Sequence, residues 1–208
     1  MTGTDDLIDR LAASGAATTG NPRMVFGGWL LVALIACAAG VALALEGAFG
    51  TVDVHGIGPM VVKWGFSLSL LLFCVVALRV LGKPGRRANW PLLAAAVPFV
   101  PVLLLLSLEL ATVGPVITAA TWPRCLLAMA VMSPVGFAGA VLAVRSMAPV
   151  RLREAGLVAG LFGGAVAMTA YAPFCPELGM TFMTVYYCLP ILAMAGLGWI
   201  MGPRLLRW

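Results

Sequence analysis

Apolar residues run along this chain in blocks too long and too uniform to be one face of a water-soluble helix. The first, "VFGGWLLVALIACAAGVALAL" at 25–45, contains no charged residue, and its length of about 20 residues is what a helix needs to cross a bilayer core. Five more blocks of the same kind occupy 60–81, 90–110, 125–144, 155–174 and 180–201. None shows the strict apolar/polar alternation over about ten residues that a membrane barrel strand requires. The pattern predicts an all-α, polytopic membrane protein, a six-transmembrane-helix bundle (24–208) preceded by a short polar segment (1–23).

Composition agrees with that reading. Of 208 residues 62% are hydrophobic and 10% charged, with a mean hydropathy of +1.05. A soluble domain carries about 25% charged residues, so the lipid bilayer is the expected solvent. Residues 1–20 hold three aspartates, one arginine and no apolar core, which is not the pattern of a cleavable signal peptide.

Charge then orients the bundle. Arg10, Arg23, Arg79, Lys83, Arg86, Arg87, Arg145, Arg151, Arg153, Arg204 and Arg207 fall on one side of the predicted spans, and only Lys63 and Arg124 on the other. Basic residues flanking spans mark the cytoplasmic face, which places both termini in the cytoplasm of an inner-membrane protein. The net charge of +5 is absorbed by this asymmetry, and no direct nucleic-acid contact is expected.

The spans are poor in chemistry. No ionisable residue falls at mid-span; Lys63 and Glu109 lie within about a turn of the outer surface and are expected to snorkel there. Ser67, Ser69, Ser107, Thr169 and Thr184 read as helix–helix hydrogen bonds. The one histidine, His55, sits in the first outer loop and reads as solvated. Glycine-rich phosphate loops, nucleophile elbows and HExxH are missing, so neither an enzyme of a common kind nor a cofactor is expected. Glycines repeat every fourth residue at Gly156, Gly160 and Gly164, and at Gly198 and Gly202, a pattern that lets helix backbones approach. Pro98, Pro101, Pro134 and Pro190 are expected to kink their helices.

Five cysteines remain. Cys37, Cys74 and Cys188 lie inside apolar blocks and read as small hydrophobes. Cys125 opens the fourth block and Cys175 closes the fifth, so both fall at the outer ends of antiparallel neighbours. Pro173 and Pro176 are expected to stop the helix and hold Cys175 at the rim, not buried. Such a pair can be a redox switch, a soft-metal site, a permanent staple or two unrelated thiols. Two thiols do not make a four-ligand structural zinc site.

In the cytoplasmic segment, "TGTDDLIDRLAAS" at 2–14 reads as a short helix with Thr4 as N-cap and Asp5 and Asp6 in the first turn. Leu7, Ile8 and Leu11 form its apolar side. A helix this short is marginal alone, so that side is expected to dock, on a protein partner or on the bilayer surface. Its acids favour a basic protein groove.

Taken together, "TDDLIDRLAA", "YAPFCPE" and the terminal "GPRLLRW" resemble the NrsF-like family of six-span bacterial inner-membrane anti-sigma factors. The resemblance implies that the N-terminal segment holds an extracytoplasmic-function sigma factor at the cytoplasmic face, with Asp5, Asp6, Leu7, Ile8 and Leu11 as sigma-contact candidates. It also implies that Cys125 and Cys175 sense oxidants or thiophilic metals. The residue before Cys-Pro-Glu, often histidine in such proteins, is Phe174 here, which favours thiol redox over metal coordination. A membrane thiol oxidoreductase on the same pair, without a second Cys-x-x-Cys relay, and a small transporter stand as the alternatives.

Overall fold

The computed structural model describes residues 21–46, 49, 56–83, 89–114, 121–147, 149–177 and 179–207, with Gly3 and Asp9. Among the described residues, six helical stretches are long and apolar enough to cross a membrane: Arg23–Ala44, Gly58–Leu81, Trp90–Thr112, Trp122–Arg145, Leu152–Phe174 and Met180–Leu205. The predicted blocks coincide with them to within a few residues. The helices are α1 (Pro22–Ala44), α2 (Gly58–Leu81), α3 (Trp90–Ala96), α4 (Phe99–Thr112), α5 (Trp122–Arg145), α6 (Leu152–Tyr171), α7 (Met180–Met183) and α8 (Leu189–Leu205).

Proline sets where most of these helices begin. Pro22, Pro59, Pro91, Pro123 and Pro190 each occupy the first turn of α1, α2, α3, α5 and α8, where the fixed φ suits a helix; for the first four, which open their spans, the missing N–H also costs nothing. Inside a span the same residue acts differently. Pro98 ends α3 and splits the third span into α3 and α4, joined by a tight turn in which Val97 N donates to Ala94 O (3.2 Å) and Val100 N to Val97 O (3.1 Å). In the sixth span the residues before Pro190 widen into a π-helical turn, Thr184–Cys188, between α7 and α8. Pro134 lies within an unbroken α5 and Pro101 in the first turns of α4, so of the four expected kinks only those at Pro98 and Pro190 interrupt the α-helix.

The fifth span is the hub. In its most apolar stretch 89% of residues are buried, against 22% in the third span, and α6 packs against α8, α5, α2 and α1. Glycine makes this possible. A Cβ on Gly156 or Gly198 would overlap the carbonyl of the other, one on Gly160 would overlap Met194 O, and one on Gly202 would overlap Leu152 O. The predicted small-residue packing of the fifth and sixth spans is therefore the contact that binds them.

The serines and threonines depart from expectation. Ser69 donates to Phe66 O (2.8 Å), Ser107 to Leu104 O (2.7 Å), Thr169 to Ala165 O (2.8 Å) and Thr184 to Met180 O (2.9 Å), while Ser67 bonds Trp64 O (3.4 Å). All are bonds within one helix or span. A hydroxyl in an apolar helix satisfies itself on the carbonyl three or four residues back, so these residues do not tie the helices together.

Gly156→Ala is expected to cost about 1–3 kcal/mol by forcing α6 and α8 apart. Gly27→Ala, with nothing within 4 Å of the new Cβ, is expected to leave the thermal unfolding midpoint in detergent micelles unchanged. Equal midpoints for the two variants would dissociate the glycine contact from stability.

Candidate functional site

The loop between α6 and α7 is where the fold concentrates its polar chemistry. Pro173 cannot donate to Thr169 O four residues back, and Pro176 cannot donate to Ala172 O. A carbonyl left bare in an apolar setting costs free energy, and each is met. Trp64 Nε1 of α2 donates to Thr169 O (3.3 Å), and Cys175 N turns back onto Ala172 O (3.3 Å). Pro173 O accepts from Phe49 N (2.9 Å), and Cys175 O accepts from Lys63 Nζ (2.8 Å). Phe49 adopts a left-handed backbone (φ 64°) and sets its ring edge-on against Trp64 at 6.1 Å.

Lys63 thus differs from its expected role. Its side chain is 5% exposed and points into the bundle because the carbonyl end of α6, the negative end of a helix dipole, offers a partner there. Glu109 differs in the same way. Its carboxylate accepts from Met180 N (2.6 Å), Thr181 N (2.9 Å) and Thr181 Oγ1 (2.7 Å), capping the amino end of the sixth span from the third. Thr121, just before α5, donates to Glu177 Oε1 (2.7 Å). The α6–α7 loop is therefore bound at Cys175, Glu177 and Met180 by residues of three other segments.

Below this ring lie the thiols. Cys125 is fully buried and Cys175 is 1% exposed, so the proline-flanked thiol is not held at a rim: the anchored carbonyls draw its loop down onto the bundle. No disulfide joins any of the five cysteines. Cys125 and Cys175 do share one pocket, near enough to interact electrostatically, with Tyr171 and Tyr187 beside both. The Tyr187 hydroxyl is buried and meets no hydrogen-bonding group in good geometry; the two cysteine side chains are what face it. Cys125 Sγ has a further task. It lies 3.7 Å from Tyr186 O, the carbonyl that Pro190 leaves without its helical donor.

The remaining cysteines are core residues, as expected. Cys37 packs between α1 and α5 with its thiol 3.5 Å from Met132 O, and Cys74 and Cys188 are buried. Among the described residues no group of three or more His, Cys, Asp or Glu could hold a metal. Asp5, Asp6, Leu7, Ile8, Leu11 and His55 lie outside the described residues.

Sequence reading missed Trp64, Tyr187 and the inward roles of Lys63 and Glu109. A signal for the last two existed, since an ionisable side chain inside a membrane block is best treated as engaged by default. At the opposite end of the bundle, Arg151 ion-pairs with Glu154 and donates to Asn89 Oδ1 (2.9 Å), and Arg79 sits 5.6 Å over the Phe26 ring.

Comparison with known proteins adds a full-length likeness. The family model described as "Negative regulator of sigma F" matches residues 11–208. The chain is 32% identical over 222 residues to the "Probable anti-sigma-F factor NrsF" of Azospira oryzae, covering 99% of each. It is 33% identical over 217 residues to the "Anti-sigma-F factor NrsF" of Caulobacter vibrioides, again covering 99% of each. No solved structure matches.

The capping of Cys175 O predicts its reactivity. In detergent-solubilised protein Cys175 is expected to label slowly with a maleimide. Lys63→Met is expected to accelerate its labelling about tenfold, the effect of losing one charged hydrogen bond, while Cys74 stays protected. Unchanged Cys175 kinetics, followed by mass spectrometry of the labelled peptide, would show that Lys63 does not hold the loop.

Proposed function

We propose, for a chain that belongs to the family described as negative regulator of sigma F, that it is a membrane-embedded anti-sigma factor whose buried thiol pair governs release of its partner. What carries the reading is likeness over 99% of the chain to two proteins named anti-sigma-F factors, combined with the Cys125/Cys175 pocket at the end of the bundle opposite Arg79, Arg145, Arg151 and Arg204. The bundle sits in a bacterial inner membrane with both termini in the cytoplasm, an orientation supported by the basic residues beside Arg79, Arg145, Arg151 and Arg204. Residues 1–23 bind a sigma factor of the extracytoplasmic-function type, with Asp5, Asp6, Leu7, Ile8 and Leu11 as the contact. The protein acts by sequestration and performs no catalysis.

The pocket supports a definite chemistry. A two-electron oxidant joins Sγ of Cys125 to Sγ of Cys175; both S–H bonds break, two electrons pass to the oxidant and two protons leave. That bond requires Cα atoms within about 7 Å, and it removes the Cys125 S–H from Tyr186 O. A soft metal ion bound by both thiolates would remove the same donor. Either event alters the π-helical turn and the loop fixed by Lys63 and Glu109, and so biases the bundle between two packings.

Two measurements test this. Deletion of residues 2–14 is expected to abolish co-purification of the sigma factor with membranes while the truncated chain accumulates normally; full retention would overturn sequestration by this segment. Cys125→Ser with Cys175→Ser is expected to flatten the response of sigma-dependent transcription to peroxide. A wild-type response from that double variant would leave the thiols as bystanders.

A further inference from the structure

The third span is built differently from the others. Its two halves meet at the Pro98 turn, where Phe99 stacks edge-to-face on Phe66 of α2 (5.2 Å, 79°). The first half, α3, packs on α2 and α6. The second half, α4, has α7 as its principal neighbour, and Val102 is its one buried residue among those described. Behind the break a cavity of about 730 Å³ separates the third span from the fifth and sixth, lined by Leu92, Phe99 and Leu103 on one side and by Leu161, Cys188 and Leu192 on the other. Among the described residues, the hydrogen bonds joining α4 to another element are the three that Glu109 accepts from Met180 and Thr181.

A helix with a proline break at one end, one polar attachment at the other and space behind it has the parts of a hinged arm. Packing alone holds α4 weakly, because in a bilayer lipid tails solvate its Leu103, Leu104 and Leu108 surface as well as protein does. The carboxylate cap is different in kind: it sets a charge on the amino end of a helix and satisfies two backbone N–H groups for which lipid has no substitute.

We propose that Glu109 is a positioning residue that latches the outer half of the third span to the thiol-bearing loop, and that its release lets α4 pivot at Val97–Pro98. The Lys63 and Glu109 attachments, at Cys175 and Met180, lie only five positions apart in the chain, so a shift of Cys175 toward Cys125 pulls on the cap. The pivot carries that shift through α3 to Asn89, which Arg151 holds at the other end of the bundle. This inference rests on the reading of Cys125 and Cys175 as reacting thiols for its trigger, and on geometry alone for the latch.

The test uses the full chain in lipid nanodiscs and in cells. Glu109→Gln keeps size but loses the charge and one acceptor oxygen. It is expected to speed hydrogen exchange at Met180 and Thr181 about tenfold or more and to speed exchange at Val97–Val100 as well. In cells it is expected to raise sigma-dependent transcription without oxidant, and to do so equally in the Cys125→Ser, Cys175→Ser background. Thr181→Val, which removes the single Oγ1 bond, is expected to give a smaller change of the same kind and keeps the test decisive if Glu109→Gln does not accumulate. Faster exchange confined to Met180 and Thr181, with the hinge unaffected, would overturn the arm. A hinge that loosens with no change in transcription would overturn the coupling. Thiols proving inert would leave the expected exchange results unaltered, so failure of the trigger is distinguishable from failure of the latch.

Discussion

Where two helices of a membrane bundle end and begin at one loop, the chain must find partners for carbonyls at one terminus and N–H groups at the other without water to supply them. Here that constraint falls on the turn from the fifth to the sixth span. A lysine from the second span meets the carbonyl end, and a glutamate from the third meets the amino end. Each charge is opposite in sign to the end of the helix dipole it faces. Two residues that would be costly anywhere else in the apolar layer are thereby made compatible with it, and the loop carrying Cys175 gains a fixed position.

The remaining fold supports this corner. The glycine-lined fifth span brings α5, α8 and α2 close to one axis, which places Cys125 of the fourth span, Cys175 after the fifth and Tyr187 of the sixth against one another. The prolines that stop or distort helices around the site expose Thr169 O, Ala172 O and Tyr186 O. An indole, a backbone amide and a thiol answer them in turn. Cys125 is therefore a structural donor, set against a carbonyl that no helical N–H reaches.

Much of the architecture was legible from hydrophobic run lengths, because a span must bury about 20 residues whatever its tertiary context. The glycine repeat at Gly156 and Gly198 was legible for a similar reason: small residues at helical spacing have few uses other than close packing. What escaped was direction. Whether Lys63 snorkels outward or turns inward depends on which helix terminus lies beside it, a fact of three-dimensional neighbourhood. The burial of Cys175 escaped likewise, since the flanking prolines signal that a helix ends but not that Lys63, Trp64 and Phe49 draw the loop down. The break at Pro98 and the intact helix through Pro134 share one sequence cue. The two outcomes differ in burial: Ser133, Gly136 and Phe137 flank Pro134 in the core, while the third span is exposed along most of its surface.

The π-helical turn at Thr184–Cys188 has a bearing on how the sixth span is phased. Such a turn holds about one residue more than an α-helical one, so the segment before it is rotated by about 100° relative to an uninterrupted helix. Downstream, the azimuth is dictated by Gly198 and Gly202 against α6. Upstream, it is dictated by Thr181 against Glu109, and the turn itself carries Tyr187 against the cysteines. One helix thus serves two rotational registers, and removing a single residue from 184–188 would straighten the span while unthreading one face or the other.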